Sequence, residues 1–167
     1  MDGTIEVESE KDVGTTFTIT LPFKKREHDV VDEEDYDETS GIDFNGMRVL
    51  LAEDNDLNRE IATEILKEEG FVVEDARNGS EAVEKVRSKG EDYYDFILMD
   101  IRMPVMDGYE ATKYIRGLCK KRRIPIIALS ANAFEEDRAK SIKVGMDEHV
   151  AKPIEIDSLK RALARFV

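Results

Sequence analysis

Short continuous apolar runs alternate, from residue 46 onward, with segments in which apolar residues recur at helical spacing. Continuous apolar runs of about five residues are typical of strands buried on both faces, as in a parallel sheet that is covered by helices. The pattern therefore predicts five βα units and an α/β fold with a doubly wound, five-stranded parallel sheet. The predicted strands are VLLA (49–52), FVV (71–73), FILM (96–99), PIIAL (125–129) and HVA (149–151).

Capping residues and glycines indicate where the intervening helices begin and end. In the first helix, Leu57, Ile61 and Ile65 share one face. The predicted inward residues of the third and fifth helices are Ala111, Ile115 and Leu118, and Leu159, Leu163 and Phe166. The predicted helix starts are Asp56, Asn78 with Glu81 as a capping box, and Asp107, and the predicted ends are Gly70, Gly90 and Gly145.

The first 23 residues follow a different pattern, in which apolar and polar positions alternate. The apolar positions are Ile5 and Val7, then Phe17, Ile19 and Leu21, and the turn-forming sequence EKDVG lies between the two runs. Alternation on both sides of a turn predicts a hairpin of two amphipathic strands. Because an isolated hairpin is at best marginally stable in water, we expect this segment to be part of something larger.

Residues 24–45 separate this hairpin from the α/β pattern. They hold nine acidic and three basic residues, a net charge of 3 − 9 = −6, and show no apolar periodicity. Such a segment is predicted to be a flexible linker. The expected organisation is therefore a hairpin at 1–23, an acidic linker at 24–45 and a compact domain at 46–167.

Composition narrows the possible functions. The 167 residues, 41% of them hydrophobic, suffice for one core of ordinary size. A net charge of −13 disfavours non-specific binding to nucleic acid. The chain has no stretch near the ~20 apolar residues that span a bilayer and no charged-then-apolar leader, which favours a cytoplasmic protein without membrane contact, although a longer parent could be membrane-anchored. Its lone cysteine, Cys119, cannot form an internal disulfide.

Polar side chains stand at the ends of four predicted strands. The carboxyl ends of parallel strands meet at one edge of the sheet, where α/β proteins bind ligands, so these side chains are expected to converge. Three crowded carboxylates repel one another unless a divalent cation neutralises them, and a set of oxygen ligands suits Mg²⁺. The five residues are Glu53, Asp54, Asp100, Ser130 and Lys152.

This set matches the needs of phosphoryl transfer, which uses an oxygen nucleophile, a metal ion and donors for the phosphoryl oxygens. Asp100 is the best nucleophile candidate because a carboxylate can form an acyl phosphate and its strand is central. A single acid at a strand end is usually a helix cap or a solvated carboxylate. The hypothesis therefore depends on all five residues together.

Four motifs resemble those of the receiver domain of two-component signalling proteins, over residues 46–167. They are VLLAEDNDLNR (49–59), DFILMDIRMPVMDGYEAT (95–112), PIIALSANA (125–133) and AKPI (151–154). The resemblance implies a flavodoxin-like sheet of strand order 2-1-3-4-5. The sequences EDN-x-x-NR and ALSANA are most similar to the receivers of hybrid sensor histidine kinases.

Residues 1–23 resemble the last two strands of the ATP-binding domain of histidine kinases. The resemblance lies in M-x-G-x-I-x-V-x-S, G-T-x-F and L-P. Met1 fits this pattern, so we expect the chain to begin inside a longer protein, a hybrid kinase. The glycine-rich nucleotide boxes of that family are absent from the sequence, so no ATP binding is expected. His28 lies in the acidic linker without an amphipathic helix around it, and the phosphodonor histidine is predicted to lie outside this chain.

The receiver resemblance implies a role for each site residue. Asp100 would accept a phosphoryl group from a phosphohistidine, and Mg²⁺ would be bound by Asp54, Asp100, the backbone carbonyl of Arg102 and, mostly through water, Glu53. Ser130 would bond to a phosphoryl oxygen and Lys152 would pair with it. His149 would be the switch residue, for which a half-buried edge residue is the alternative interpretation. The remaining implied features are a cis peptide bond between Lys152 and Pro153 and a partner-docking face of Leu57, Asn58 and Ile61.

The expected partner is the dimerisation domain of a histidine kinase or a histidine phosphotransfer protein, and the hairpin could mediate a homodimer. Self-phosphotransfer and autodephosphorylation are the reactions expected of the chain itself.

One alternative is a free-standing response regulator, which leaves the hairpin unexplained. Another is a phosphatase with an aspartyl nucleophile, which needs a second acid where this chain has Arg102. A receiver-like binding module without phosphorylation is disfavoured because all five site residues are present.

Overall fold

The computed structural model describes residues 3–10, 14–20, 42–131 and 135–167. The chain divides into two units, Met1–Tyr36 and Asp37–Val167. Several predictions lie outside the described residues: the centre of the EKDVG turn, Leu21, residues 24–41 of the acidic linker with His28, and the Asn132–Ala133 part of the ALSANA motif.

The predicted hairpin is present. Strands β1 (Thr4–Glu10) and β2 (Gly14–Thr20) pair antiparallel. Ile5 lies opposite Ile19, and Val7 lies opposite Phe17, so the four apolar side chains share one face of the ribbon. Each of the four is more than half exposed, from 55% for Val7 to 69% for Ile5. The described part of this unit therefore does not bury its own apolar face.

The second unit is built on a five-stranded parallel sheet. Its spatial order is β4-β3-β5-β6-β7, which is the predicted order 2-1-3-4-5 when these strands are numbered alone. The central strand β5 is buried along its whole length, as expected for a parallel strand covered on both faces. The strands are β3 (Arg48–Ala52), β4 (Val72–Ala76), β5 (Phe96–Asp100), β6 (Ile126–Ser130) and β7 (Glu148–Ala151).

Five helices connect or follow the strands, and the sheet divides the core into two parts. Side chains alternate along each strand, so that Leu50, Ile97 and Met99 pack on one side. Leu51 and Leu98 pack on the other side. The helices are α1 (Asp56–Glu68), α2 (Gly79–Lys89), α3 (Gly108–Leu118), α4 (Glu135–Val144) and α5 (Ile156–Leu163), which continues into a 3₁₀ turn at Ala164–Phe166.

The compact unit starts earlier than residue 46. Phe44, which the charge pattern assigns to the linker, is 5% exposed, and its ring lies 5.6 Å from that of Phe71. Ile42 packs partly against the same cluster. Ile42 and Phe44 thus belong to the core although they end an acidic segment. The free energy gained by burying two apolar side chains outweighs the effect of the neighbouring charges.

Three predictions about the helices are wrong. Asn55, not Asp56, caps α1, because its Oδ1 accepts a bond from the Asn58 N–H at 3.0 Å while Asp56 is already helical. Phe166 is 38% exposed because it lies in the 3₁₀ turn, where the rotation per residue differs from that of α5. Leu118 is 39% exposed because α3 ends at that residue.

The other predicted helix boundaries are confirmed. Asn78 and Asp107 cap α2 and α3 through side-chain bonds to the N–H groups of Glu81 and Glu110. The Glu81 carboxylate reaches back to the N–H of Arg77, at 2.9 Å, rather than to that of Asn78. The predicted ends, Gly70, Gly90 and Gly145, follow their helices with positive φ angles.

Candidate phosphoryl-transfer site

Glu53 and Asp54 leave the sheet at the end of β3, where the chain turns into α1. The backbone N–H of Glu53 bonds to the carbonyl of Ala76 on β4, at 3.0 Å. Its side chain is 4% exposed, and Oε1 accepts bonds from the Asn58 amide at 3.3 Å and the Asn55 N–H at 3.4 Å. Asp54 is exposed. One acid is therefore held inside the site and its neighbour faces the opening.

Asp100 is the last residue of β5 and is 6% exposed. Its Oδ1 accepts a bond from the N–H of Arg102 at 3.2 Å, and its Oδ2 accepts one from Lys152 Nζ at 2.6 Å. Burial raises the pKa of Asp100 above the usual range, although the Lys152 ammonium opposes that effect. The ion pair with Lys152 thus offsets part of the cost of placing a carboxylate at the end of a buried strand.

Lys152 contacts two acids at once. Its Nζ donates to Glu53 Oε2 as well as to Asp100. Burial lowers the pKa of Lys152, but the bonds to Asp100 and Glu53 outweigh burial, and the pKa is raised. Its backbone N–H bonds to the carbonyl of Ser130 at 2.8 Å, and the peptide bond to Pro153 is cis.

The loop after β5 packs closely against the start of α3. A Cβ atom on Gly108 would overlap the carbonyl oxygen of Asp100, and one on Gly79 would lie 2.6 Å from the carbonyl oxygen of Met106. The N–H of Gly79 donates to that Met106 oxygen at 3.0 Å. In the same loop, Val105 has a φ of 69° and is 86% exposed.

Three carboxylates meet at the edge of the sheet. Glu53, Asp54 and Asp100 each offer one oxygen, and these oxygens lie within 4.8 Å of one another. A cluster of hard oxygen donors, two buried and one exposed, fits a hard divalent cation that retains part of its water shell. The residues present therefore suit Mg²⁺.

Ser130 and His149 lie side by side on the last two strands. Ser130 is buried at the end of β6, and its Oγ lies 2.7 Å from Nε2 of the half-buried His149 on β7. Ser130 pairs with Ala151 in the sheet, one residue before Lys152. Ser130 and His149 are thus in contact across two neighbouring strands, and β7 leads directly to the site lysine.

The predicted docking residues lie on the solvent side of α1. Leu57 is 64% exposed, Ile61 is 51% exposed, and Asn58 is also exposed. A groove of about 380 Å³ adjoins them. It is lined by Glu53, Asn58, Ile61, Ala62, Ile65, Ala131, Lys152, Pro153 and Ile154. The groove thus runs from an apolar helix face to two residues of the acidic site.

Arg59 is not among the site residues predicted from the sequence. This residue is 8% exposed and lies on the buried face of α1 with Ala62 and Leu66. The signal in the sequence for the burial of Arg59 is the i, i+3, i+7 spacing of these three residues. It is hard to recognise because Leu57 and Ile61 form a more apolar face on the same helix.

The sequence pattern of the response regulator receiver domain matches residues 49–164. The chain belongs to this family. Among its relatives, hybrid signal transduction histidine kinase L of Dictyostelium discoideum is 31% identical over 168 residues, 99% of this chain and 10% of that protein. The two-component response regulator ORR41 of Oryza sativa subsp. japonica is 43% identical over 122 residues, 72% of this chain and 94% of that protein. The chain spans about a tenth of the length of the kinase relatives it matches.

Solved receiver domains have the same fold. The receiver domain of sensor histidine kinase PA1611 from Pseudomonas aeruginosa PAO1, with a magnesium ion in its active site cleft, is 41% identical. The TM-score is 0.64, and the match covers 72% of this chain and 97% of that chain. The receiver domain of histidine kinase CKI1 from Arabidopsis thaliana, complexed with Mg²⁺ and BeF₃⁻, is 34% identical, with a TM-score of 0.62 over 78% of this chain and 91% of that chain.

A third match comes from a complex. It is a co-crystal structure of the Saccharomyces cerevisiae histidine phosphotransfer protein Ypd1 with the receiver domain of the response regulator Ssk1. The match is 28% identical, with a TM-score of 0.65 over 74% of this chain and 90% of that chain. The receiver domain described above is thus of the kind that operates in two-component phosphorelays. Among its described residues, no helix combines the length and the apolar character needed to cross a membrane.

Proposed function

We propose that this receiver domain takes a phosphoryl group from a phosphohistidine onto Asp100. The observation that carries the proposal is the arrangement around that carboxylate: two further acids with oxygens within 4.8 Å of one of its own, and Lys152 Nζ at 2.6 Å. An aspartyl phosphatase is disfavoured, because the residue two positions after Asp100 is Arg102 rather than an acid.

In the proposed reaction, an Asp100 oxygen attacks phosphorus as the bond from phosphorus to the histidine nitrogen breaks. The imidazole leaves with the bonding electrons. Mg²⁺, held by Glu53, Asp54, Asp100 and the carbonyl of Arg102, would supply positive charge to the phosphoryl oxygens. Lys152 already contacts Asp100, and its ammonium can pair with the oxygens of the arriving group. Burial of Asp100 keeps bulk water from its charge and strengthens both effects.

The switch follows from the position of Ser130. Its hydroxyl would turn from His149 to a phosphoryl oxygen, which breaks the 2.7 Å contact with Nε2. His149 would then reorient, and the surface formed by α4, β7 and α5 would change its partners. The contact between the two side chains supports this coupling.

The proposed phosphodonor docks on α1. Leu57 and Ile61 offer exposed apolar surface, and Asn58 links that surface to the site through its bond to Glu53. A helical histidine kinase domain or histidine phosphotransfer protein suits a groove next to a helix face. The complex of Ypd1 with the Ssk1 receiver domain supports a partner of this class.

Labelling with beryllofluoride or acetyl phosphate tests the proposal. Wild-type protein should be labelled in Mg²⁺ and not in EDTA. Asp100→Asn should lose labelling entirely, because an amide oxygen is a poor nucleophile. Asp92→Asn, which changes an exposed acid elsewhere, serves as the matched control and should be labelled like wild type. Labelling that persists in Asp100→Asn would remove Asp100 from the role.

We further propose that the chain is part of a hybrid sensor histidine kinase. The match to the Dictyostelium kinase extends over 99% of the chain and so includes the hairpin, which supports a kinase segment before the receiver domain. A free-standing response regulator is the second candidate, favoured by the 94% coverage of ORR41. The sequence upstream in the parent gene decides between them: nucleotide boxes and a phosphodonor helix are expected for the kinase.

The hairpin is also a candidate for self-association. Its four exposed apolar side chains, and outer strand edges that pair with no other strand in the described part of the chain, favour pairing with a second copy. Light scattering should therefore give the mass of a dimer for the full chain and of a monomer after deletion of residues 1–23. A monomeric full chain, with unchanged mass and stability after the deletion, would rule out this role.

A further inference from the structure

Arg59 is a buried arginine whose three donor groups reach three different elements. Its Nη1 donates to the backbone carbonyl of Glu53 at 3.0 Å, and its Nε donates to Asp75 at 3.0 Å, at the end of β4. Its Nη2 pairs with Asp56 in the first turn of α1. The planar guanidinium therefore joins the ends of two strands to the start of a helix.

The carbonyl bond is the important one for the acidic site. That carbonyl belongs to the peptide bond between Glu53 and Asp54, the two consecutive acids of the carboxylate cluster. The N–H of Glu53 is already bonded to Ala76. With Arg59 on its carbonyl, Glu53 has both backbone groups hydrogen-bonded, and these bonds fix the orientation of the peptide plane that leads to Asp54.

We infer that Arg59 is a positioning residue for the cation site. By bonding the Glu53 carbonyl, it fixes the direction in which the Glu53 and Asp54 carboxylates leave the chain. This inference rests on the proposed Mg²⁺ site and adds a residue that touches neither the metal nor the phosphoryl group. Residues that orient metal ligands typically change metal affinity 10- to 100-fold when they are replaced.

An effect of Arg59 through its charge and an effect through positioning predict opposite changes in Mg²⁺ affinity when Arg59 is replaced. A positive guanidinium near the acids repels a cation, so a purely electrostatic effect of its removal would raise the affinity for Mg²⁺. Loss of positioning would lower that affinity instead. Lysine at this position keeps the charge but lacks the planar fork that bonds the carbonyl and both carboxylates together.

The experiment is a calorimetric Mg²⁺ titration of the full chain and three variants, at a temperature where urea unfolding shows each to be folded. Arg59→Lys should bind Mg²⁺ about tenfold more weakly than wild type. Arg59→Met, which keeps the volume and removes the charge, should also bind more weakly, and it replaces Arg59→Lys if that variant does not fold. The control is Asp75→Asn, which removes the negative charge from one partner of Arg59 but leaves its bond to Glu53. Its affinity should stay within about twofold of wild type.

Each other outcome counts against the inference. Unchanged Mg²⁺ affinity in Arg59→Lys, or higher affinity in Arg59→Met, would reduce Arg59 to a structural or electrostatic role. An equal loss in Asp75→Asn would show that general loosening, not the carbonyl bond, sets the affinity. If the wild-type protein bound no Mg²⁺, the cation site itself would be overturned. If the wild-type protein bound Mg²⁺ and the variants bound it equally well, only the role of Arg59 would be overturned.

Discussion

Asp100 lies at the end of a fully buried strand, where an isolated charge would be expensive. Lys152 offsets part of that cost, because its ammonium bonds to both buried acids, although burial still raises the pKa of Asp100. These residues could be predicted from the sequence because each follows an apolar run. The spacing of Arg59 with Ala62 and Leu66 indicates only that Arg59 is buried, because a bond to a backbone carbonyl leaves no side-chain pattern in the sequence.

Val105 carries backbone strain beside the site. A β-branched residue with a φ of 69° is rare, because its Cβ crowds the backbone in the left-handed region. Val105→Asn should therefore raise the free energy of unfolding by about 1 kcal/mol, since asparagine tolerates this region. Urea unfolding measures the change.

The control for this prediction is the same substitution in an extended strand. Val72 lies on β4 and is 49% exposed. Val72→Asn should lower the free energy of unfolding by up to about 1 kcal/mol, because asparagine disfavours strands. Equal effects at the two positions would show that backbone conformation is not the cause.

At the scale of elements, apolar runs predicted the strands best at the centre of the sheet, where β5 and β6 are buried along their whole length. Helix faces were harder to assign. Leu57, Ile61 and Ile65 share a face of α1, but the residues that α1 buries are Arg59, Ala62 and Leu66. Periodicity shows which residues share a face and not what that face contacts, so an exposed apolar face looks like a face for the core.

Glu74 ties the edge strand β4 to residues 89–94. Its carboxylate accepts bonds from Tyr93 at 2.9 Å and Tyr94 at 2.8 Å, and it pairs with Lys89 at 3.3 Å. Burial raises the pKa of Glu74, but the bonds from Tyr94, Tyr93 and Lys89 outweigh burial, and the pKa lies below its ordinary value. A lowered pKa means that the ionised carboxylate is favoured in the folded state.

The stabilising effect of Glu74 should therefore be present at neutral pH and disappear in acid. Glu74→Gln should lower the free energy of unfolding by roughly 1–2 kcal/mol at pH 7. The difference from wild type should shrink as the pH falls below about 4.3, the unfolded pKa, and vanish below the folded pKa. Urea unfolding between pH 3 and pH 7 measures the trend.

Glu64 provides the comparison for this pH effect. It is exposed and pairs only with Lys67 in the described structure, within one helix face. Glu64→Gln should change stability by no more than about 0.5 kcal/mol at any pH in this range. A Glu74→Gln effect that is independent of pH would contradict the assigned cause.

At the scale of the whole molecule, binding at one edge of the sheet should stabilise the entire second unit. A cation that binds the folded state alone adds about 2.7 kcal/mol to the free energy of unfolding at 100 times its dissociation constant. Mg²⁺ should give this increment in urea unfolding, and EDTA should remove it. Asp54→Asn should show a much smaller increment at the same Mg²⁺ concentration, whereas an equal one would place the ion elsewhere.

The close approach around the β5–α3 loop has a consequence for how the sequence can vary. Gly79 and Gly108 are 29 positions apart along the chain, yet each leaves room for a carbonyl oxygen next to the same loop. Neither glycine belongs to the set of chemical groups at the sheet edge. In a library of all single amino acid replacements, variants at both positions should nevertheless be depleted. Even the Cβ atom of alanine would displace the peptide segment whose carbonyl oxygen lies against the glycine.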